Sequence, residues 1–325
     1  MRAIQFNEYG GPEVLKNVEI DVPSPKGKEV LIQVYATAVN YADTARREGQ
    51  YVVKTPLPYV PGAEVSGVVM EVGEDVTRVT KGDRVVAMMD SGGYAECALT
   101  DERSVIPLPY GLDFNEAAAI PVQGLSAYHI LKTLGRLQQN ETVLIHAAAG
   151  GVGLLAVQLA KRFGAGKVIA TASTTEKLLL AEEMGADILV NYTQDGWEEQ
   201  VLAATDGLGV DLALEMAGGD VFYKTLKCLA TFGRLVIYGV ASGEQSRIYP
   251  SSLMAKNQSV IGFFLPPLMR DAELTQKTLL EIFHYVTNGD LKVTVGHVFP
   301  LEEAAKVHTL MQGRQTVGKV ILQPL

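Results

Sequence analysis

Between residues 142 and 265 the chain alternates short apolar runs with segments whose apolar positions recur every three to four residues. Residues 143–146 read as a strand, after which Val152, Leu155, Ala156, Leu159 and Phe163 fall on one helical face. Strands are predicted at 167–172, 187–192, 210–216, 235–240 and 258–265, with helices at 175–184, 197–204 and 221–229 between them. Such alternation predicts a parallel, doubly wound sheet. The first third differs. Apolar and β-branched runs at 30–37, 64–72 and 84–89 are separated by turn formers at 23–27, 56–62, 81–83 and 91–93, and no long helical period occurs before about residue 115. Helices at 274–287 and 301–311 and a strand at 317–322 do not continue the parallel series, so the tail is expected to return to the first domain. The reading is an α/β chain of two domains, a β-rich one from 1–121 with 266–325 and a dinucleotide-type one from 122–265.

Composition narrows the function. The chain carries a net charge of -9 and no Lys/Arg-rich run, which excludes a phosphate-reading basic face and with it nucleic acid as a partner. No stretch of about 20 apolar residues is present, so no membrane partner is expected. Cys97 and Cys228 are the only cysteines, too few for a disulfide framework or a cysteine-based zinc site. Two such cysteines and an N-terminus lacking a signal-type apolar core point to the cytoplasm.

The strongest motif runs from Val143 to Gly153, Val-Leu-Ile-His-Ala-Ala-Ala-Gly-Gly-Val-Gly. A strand enters, glycines turn the chain and a helix begins. Gly150 lets the backbone approach a pyrophosphate, Gly153 lets the helix pack close to the strand, and the free N–H groups of the helix start favour an anion. Ala148 stands at the first glycine of the G-x-G-x-x-G pattern, which is tolerable if that residue is not left-handed. A glycine turn that only packs a helix on a sheet is the plain alternative. The second strand ends Ala170-Thr-Ala-Ser173 without the acid that holds the 2′-hydroxyl of NAD. Ser173, Lys177 and Tyr192 offer hydroxyls and an ammonium instead, which suits the 2′-phosphate of NADPH; Lys177 could also be an ordinary solvated helix lysine. Glu176 reads as a helix-start acid.

The chain resembles the medium-chain dehydrogenase/reductase superfamily end to end, and within it the zinc-free, zeta-crystallin-like quinone oxidoreductases. The resemblance rests on Glu13-Val-Leu, Val39-Asn-Tyr-Ala-Asp43, Pro61-Gly-Ala-Glu-Val-Ser-Gly67, Lys81-Gly-Asp-Arg-Val85, the turn through Gly153, and Gly318-Lys-Val-Ile321. It implies a GroES-like catalytic domain beside a Rossmann NADPH-binding domain. It also implies cofactor contacts at Tyr41, Ser126, Ala149, Gly150, Gly151, Val152, Gly153, Ser173, Lys177, Tyr192, Gly239, Val240 and Phe264, and at Arg314, which would reach the 2′-phosphate. Where zinc alcohol dehydrogenases carry a Cys and a His ligand this chain has Asn40 and Ala63, neither a credible ligand, so no zinc is expected.

Without a Lewis acid the substrate must accept hydride unaided, as quinones and other conjugated carbonyl compounds do. Asn40 is expected either to bond a substrate carbonyl or the nicotinamide ribose, or to be a turn residue; Asp43 reads as a helix cap or structural partner. Tyr51 matches a tyrosine that donates a proton in related enoyl-thioester reductases, and could instead line the pocket. The expectation is an NADPH-dependent quinone or enone reductase. Its rivals are an enoyl-thioester reductase and a non-enzymatic NADPH-binding protein. The apolar run 260–265 at the end of the parallel series predicts a homodimer.

Overall fold

The computed structural model describes residues 1–324 and divides into two compact units, Met1–Val122 with Ala272–Leu325, and Gln123–Asp271. The strands in chain order are β1 (Arg2–Gln5), β2 (Lys16–Glu19), β3 (Glu29–Val39), β4 (Glu64–Val72), β5 (Arg84–Met88), β6 (Cys97–Asp101) and β7 (Val105–Pro107). They continue as β8 (Thr142–Ile145), β9 (Lys167–Ala172), β10 (Ile188–Asn191), β11 (Val210–Glu215), β12 (Leu229–Ile237), β13 (Ser259–Gly262), β14 (Val295–Pro300) and β15 (Lys319–Gln323).

In the first unit a seven-stranded sheet runs β14-β15-β3-β4-β5-β7, with β6 also on β3, and β1 pairs with β2 beside it. The long β3 is buried almost throughout because its apolar residues serve both faces: Val30, Ile32 and Val34 join Val65, Val69 and Val85 in one core, while Val39 joins Phe6, Tyr59, Tyr94, Leu301 and Val320 in another. β15 lies antiparallel to β3, so the C-terminal segment completes this GroES-like unit. β14 was not foreseen; a Cβ at position 296 would fall 1.9 Å from the Val317 carbonyl, so glycine is what lets the strands meet.

The second unit is a six-stranded, wholly parallel sheet in the order β10-β9-β8-β11-β12-β13, the doubly wound Rossmann arrangement. Helices Gly151–Arg162, Thr175–Glu183, Trp197–Ala203 and Gly219–Lys227 connect its strands. The sequence pattern misplaces two edges. β12 begins at Leu229 rather than at 235, because left-handed Phe232 (φ 64°) and Gly233 disguise a continuous strand as a turn. The run 258–265 stops at Gly262, and Leu265–Met269 is helical, since Pro266 and Pro267 fit a helix's first turn. Among the described residues no helix is long and apolar enough to cross a membrane.

Candidate functional site

At the centre of the parallel sheet, β8 neighbours both β9 and β11, where the strand order reverses and doubly wound sheets bind their ligands. The chain turns there on Ala147, the left-handed residue (φ 49°), one position before Ala148, so alanine at the first motif glycine costs no strain. Gly150 precedes helix Gly151–Arg162 in extended conformation and provides no side-chain cap. A Cβ on Gly153 would lie 2.3 Å from the Ala147 carbonyl oxygen and 2.7 Å from the Ala148 Cα, so hydrogen alone fits between helix and turn. A Cβ on Gly151 would collide with buried Gln123. An uncapped helix start behind a close backbone turn fits the pyrophosphate of a dinucleotide. Ala149 is buried in the turn, and Val152 lies half-buried in the first helical turn.

His146 leaves β8 as a packed residue. Its Nδ1 is 2.8 Å from Thr171 Oγ1 and its Nε2 2.7 Å from Thr225 Oγ1, with Trp197 edge-on to the ring. Burial pushes its pKa down to about 4. Thr225 donates its own hydroxyl to the Val221 carbonyl, so Nε2–H donates to Thr225 and Nδ1 accepts from Thr171, and the neutral ring is fully bonded.

β9 and β10 end side by side, Ala172 opposite Asn191, and the Tyr192 N–H bonds the Ala172 carbonyl. That register brings Ser173 and Tyr192, both half-buried, to one corner of the sheet. Thr174 caps the next helix by accepting from the Lys177 N–H at 3.3 Å, which sets Lys177 in its first turn. The exposed Glu176 carboxyl is lowered by its own N–H and by the Thr174 hydroxyl, which ties it to the helix start. Gly239 and Val240 lie in the loop after β12, paired to the loop after β11 through Ala241 N–H to Met216 O and Ser242 N–H to Ala217 O, 2.8 Å each. Glu215 organises that pairing. The carboxyl is fully buried, and Oε1 accepts from Ala217 N–H at 2.7 Å and Gly218 N–H at 2.8 Å. Burial raises its pKa. Sequence reasoning missed it; its one signal is an acid ending β11 directly after the apolar run Leu212–Leu214. Ser126 is buried on helix Pro121–Tyr128, and Phe264 is the N-cap residue of Leu265–Met269.

In the GroES-like unit, Asn40 ends the buried β3 and begins helix Tyr41–Arg47. Its Oδ1 accepts from Lys319 Nζ at 2.7 Å, and its Nδ2 donates to Glu64 Oε1 at 2.9 Å and to the Ala38 carbonyl at 3.4 Å. Lys319 and Glu64 form an ion pair at 2.7 Å with side chains 1% and 0% exposed, and Glu64 Oε2 also accepts from Val122 N–H. The amide is thus oriented by the protein: its nitrogen is committed to Glu64 and Ala38, and its oxygen to Lys319 and the capping box of the helix start. Asp43 accepts from the Asn40 N–H at 2.9 Å and from Tyr94 Oη at 3.1 Å, a structural partner as its sequence position suggested. Burial raises its pKa, and these bonds oppose the rise. Tyr94 Oη is 3.3 Å from His308 Nε2, and His308 Nδ1 is 3.3 Å from Arg47 Nη1. Arg47 can only donate, so His308 is neutral and carries its proton on Nε2; burial, then Arg47, push its pKa down to about 3. Lys319, Tyr94, His308 and Arg47 went unnoticed in the sequence.

Tyr41 opens the helix half-buried, its phenol raised by burial and then by Glu48. Tyr51, half-buried beyond the helix, has the Arg46 guanidinium 4.0 Å above its ring. Burial raises the Tyr51 pKa and Arg46 opposes the rise. Arg314 is exposed and left-handed (φ 57°) in the turn after helix Ala304–Gln312.

Comparison with known proteins agrees with this frame. The description "Alcohol dehydrogenase GroES-like domain" matches residues 26–110, and "Zinc-binding dehydrogenase" matches residues 151–283. Human quinone oxidoreductase is 37% identical over 99% of this chain and 97% of its own. The chain belongs to the quinone oxidoreductase family. The quinone oxidoreductase of Pseudomonas aeruginosa is 36% identical over 99% of both chains. The Escherichia coli quinone oxidoreductase, solved as a complex with NADPH, superimposes with a TM-score of 0.94 at 33% identity over 100% of both chains.

Membership in the quinone oxidoreductase family, a branch of the medium-chain dehydrogenase/reductases, makes the chain an oxidoreductase. It also sets the "zinc-binding" description against the residues present. Asn40 is engaged with Lys319 and Glu64, and the Ala63 carbonyl accepts from Met89 N–H. Among the described residues no three His, Cys, Asp or Glu side chains group to hold a metal.

Proposed function

We propose that this chain binds NADPH at the glycine turn and reduces quinones and related conjugated carbonyl compounds without zinc. The observation that supports the reading is a glycine turn that only Gly153 can close, beside the adjoining ends of β9 and β10, where Ser173 and Tyr192 follow and Lys177 lies in the next helix's first turn. NADPH, when bound, supplies the hydride. The N–H groups of Gly151, Val152 and Gly153, with Ala149 and Gly150 in the turn, hold its pyrophosphate. The corner takes the 2′-phosphate, and Arg314 is a further cofactor-binding residue by the family resemblance. Gly239 and Val240, fixed through Glu215, line the nicotinamide end with Ser126 and Phe264, and Tyr41 is a further cofactor-binding residue by the family resemblance. Asn40 Oδ1 can only accept, so Asn40 is assigned to a hydroxyl of the nicotinamide ribose and not to a quinone carbonyl, and Tyr51 holds the proton that completes the hydroquinone. A conjugated acceptor spreads the incoming charge and needs no metal. Two free buried cysteines fit a cytoplasmic setting.

One assay tests these assignments. Naphthoquinone reduction is measured with NADPH and NADH, in chelator, for wild type, Lys177→Ala and Tyr51→Phe. Losing the lysine should weaken NADPH by about ten- to a hundredfold and leave NADH nearly unchanged, since a charge-assisted bond contributes roughly 1.5–3 kcal/mol. Tyr51→Phe should lower turnover about a hundredfold, the scale of general acid catalysis, with cofactor affinity unmoved. Equal loss for both cofactors would overturn the phosphate corner. Full turnover by the phenylalanine variant would make Tyr51 a lining residue, and a rate that collapses in chelator would restore zinc.

The quaternary state we infer is a homodimer joined through β13. That strand is bonded only to β12, and the segment leading into it exposes Tyr249 (82%) and Met254 (73%). Light scattering at micromolar concentration should give twice the chain mass; a monomer there would refute the assignment.

A further inference from the structure

Arg46 and Arg47 are consecutive at the end of helix Tyr41–Arg47, and the fold treats them in opposite ways. Arg47 is fully buried and saturated: Nε donates to the Gly10 carbonyl, Nη1 to His308, and Nη2 to Glu48 at 2.6 Å and Gln312 at 3.0 Å. It is an internal strut. Arg46 is half-buried, and its packed partners are aromatic: its guanidinium carbon lies 4.0 Å from the Tyr51 ring centre and 5.5 Å from that of Tyr59. Among the described residues no carboxylate lies within ion-pair distance of it. The rings are held in place. Tyr59 is 5% exposed, donates its hydroxyl to the Asp90 carbonyl at 2.9 Å and packs on Phe6. Beyond Tyr51 the loop leaves Val52 79% and Val53 52% exposed, an apolar rim beside the cation.

A fixed guanidinium with no carboxylate partner, backed by two phenol rings and flanked by exposed valines, combines one anion-binding group with flat apolar surface. On a chain of net charge -9 it is a local exception. Guanidinium reads planar oxyanions bidentately, and aromatic faces favour planar rings. Stacking on Tyr51 and Tyr59, and a hydrogen bond to the Tyr51 side chain, keep the arginine from wandering. We propose that Arg46 makes this enzyme selective for aromatic acceptors that carry a peripheral anion, such as a quinone bearing a carboxylate or sulfonate. The proposal rests on the quinone-reductase reading and on Tyr51 facing the acceptor. It adds a substrate class: planar, conjugated and acidic.

The test compares neutral 1,4-naphthoquinone with its 2-sulfonate for wild type, Arg46→Leu and Arg46→Lys, by equilibrium binding to the protein and by NADPH-driven turnover. In wild type the sulfonate should bind more tightly than the neutral ring, and the advantage should shrink as salt is raised. Arg46→Leu should lower the ratio of sulfonate to neutral affinity by about tenfold, with the same shift in the ratio of KM values. Arg46→Lys, which keeps the charge but not the fork, should retain part of the preference. A ratio unchanged by Arg46→Leu, or a wild type that favours the neutral ring, would overturn the proposal. Failure of the parent reading looks different: neither quinone would be turned over, while the binding ratio would still report on Arg46.

Discussion

Replacing Lys319 by methionine is expected to cost the protein about 3–5 kcal/mol of stability, the usual scale for breaking a buried ion pair from one side. The ammonium sits 2.7 Å from Glu64 and 2.7 Å from Asn40, and both charged side chains are shut off from water. Methionine fills most of the lysine's volume, so the loss is electrostatic and not a cavity. What remains is a buried carboxylate supported only by the Asn40 amide and the Val122 N–H. Glu64→Gln combined with Lys319→Met leaves no charge behind and should regain much of the loss. The double variant should therefore be more stable than the two single effects added together predict. Guanidinium unfolding of the four proteins measures the coupling. A single-variant cost below about 1 kcal/mol, or strict additivity, would mean that the pair is not the strut described above. Loss of Lys319 should also free the Asn40 amide to rotate, so turnover should fall in the single variant even where the protein stays folded.

The same network marks where the sequence stops being readable. The parallel unit was legible because its signals are local: a strand of four to six residues, a helix with apolar spacing, a glycine turn. The turn could be placed to the residue, and Ser173, Lys177 and Tyr192 could be grouped, because strand ends in a parallel sheet fall on one side by construction. Asn40 and Lys319 are 279 residues apart, and nothing in Gly318-Lys-Val-Ile announces that this lysine is buried while Lys177 is not. Adjacent Arg46 and Arg47 carry the same local signal, and only the helix's packing decides which one faces His308 and Gln312. His146 directly follows an apolar strand, a local cue that it packs. His308 gave no such cue, since its environment is assembled from Arg47 and Tyr94. β14 failed for a related reason: its glycine serves an approach to Val317 that a one-dimensional pattern reads as a break.

Those two histidines make the fold sensitive to acid. His146 and His308 are neutral in the folded chain, with pKa values pushed down to about 4 and about 3, chiefly by burial. In an unfolded chain each returns to about 6.5. A depressed folded pKa means that the unfolded state binds the proton more readily. The stability each histidine contributes is therefore complete above pH 6.5 and is lost progressively as pH falls toward 4 and 3. At 1.36 kcal/mol per pKa unit, the full loss is about 3 kcal/mol for His146 and about 5 kcal/mol for His308, or about 8 together, a large share of a typical domain's stability. Asp43 and Glu215 work the other way. Burial raises their folded pKa values, so their protonation favours the folded chain and offsets part of the loss near pH 4. Unfolding midpoints are expected to fall from pH 7 to pH 5 as the unfolded chain's histidines take up protons. His146 sits in the Rossmann unit and His308 in the GroES-like unit, so the units can be separated by substitution. Glutamine in place of either histidine keeps a hydrogen-bonding side chain that cannot titrate. Each variant should begin less stable at pH 7 and show a shallower dependence on pH, the pair shallower still. Denaturant midpoints between pH 7 and pH 5 measure this directly. Slopes indistinguishable from wild type in both variants would show that acid acts elsewhere, through the carboxylates alone.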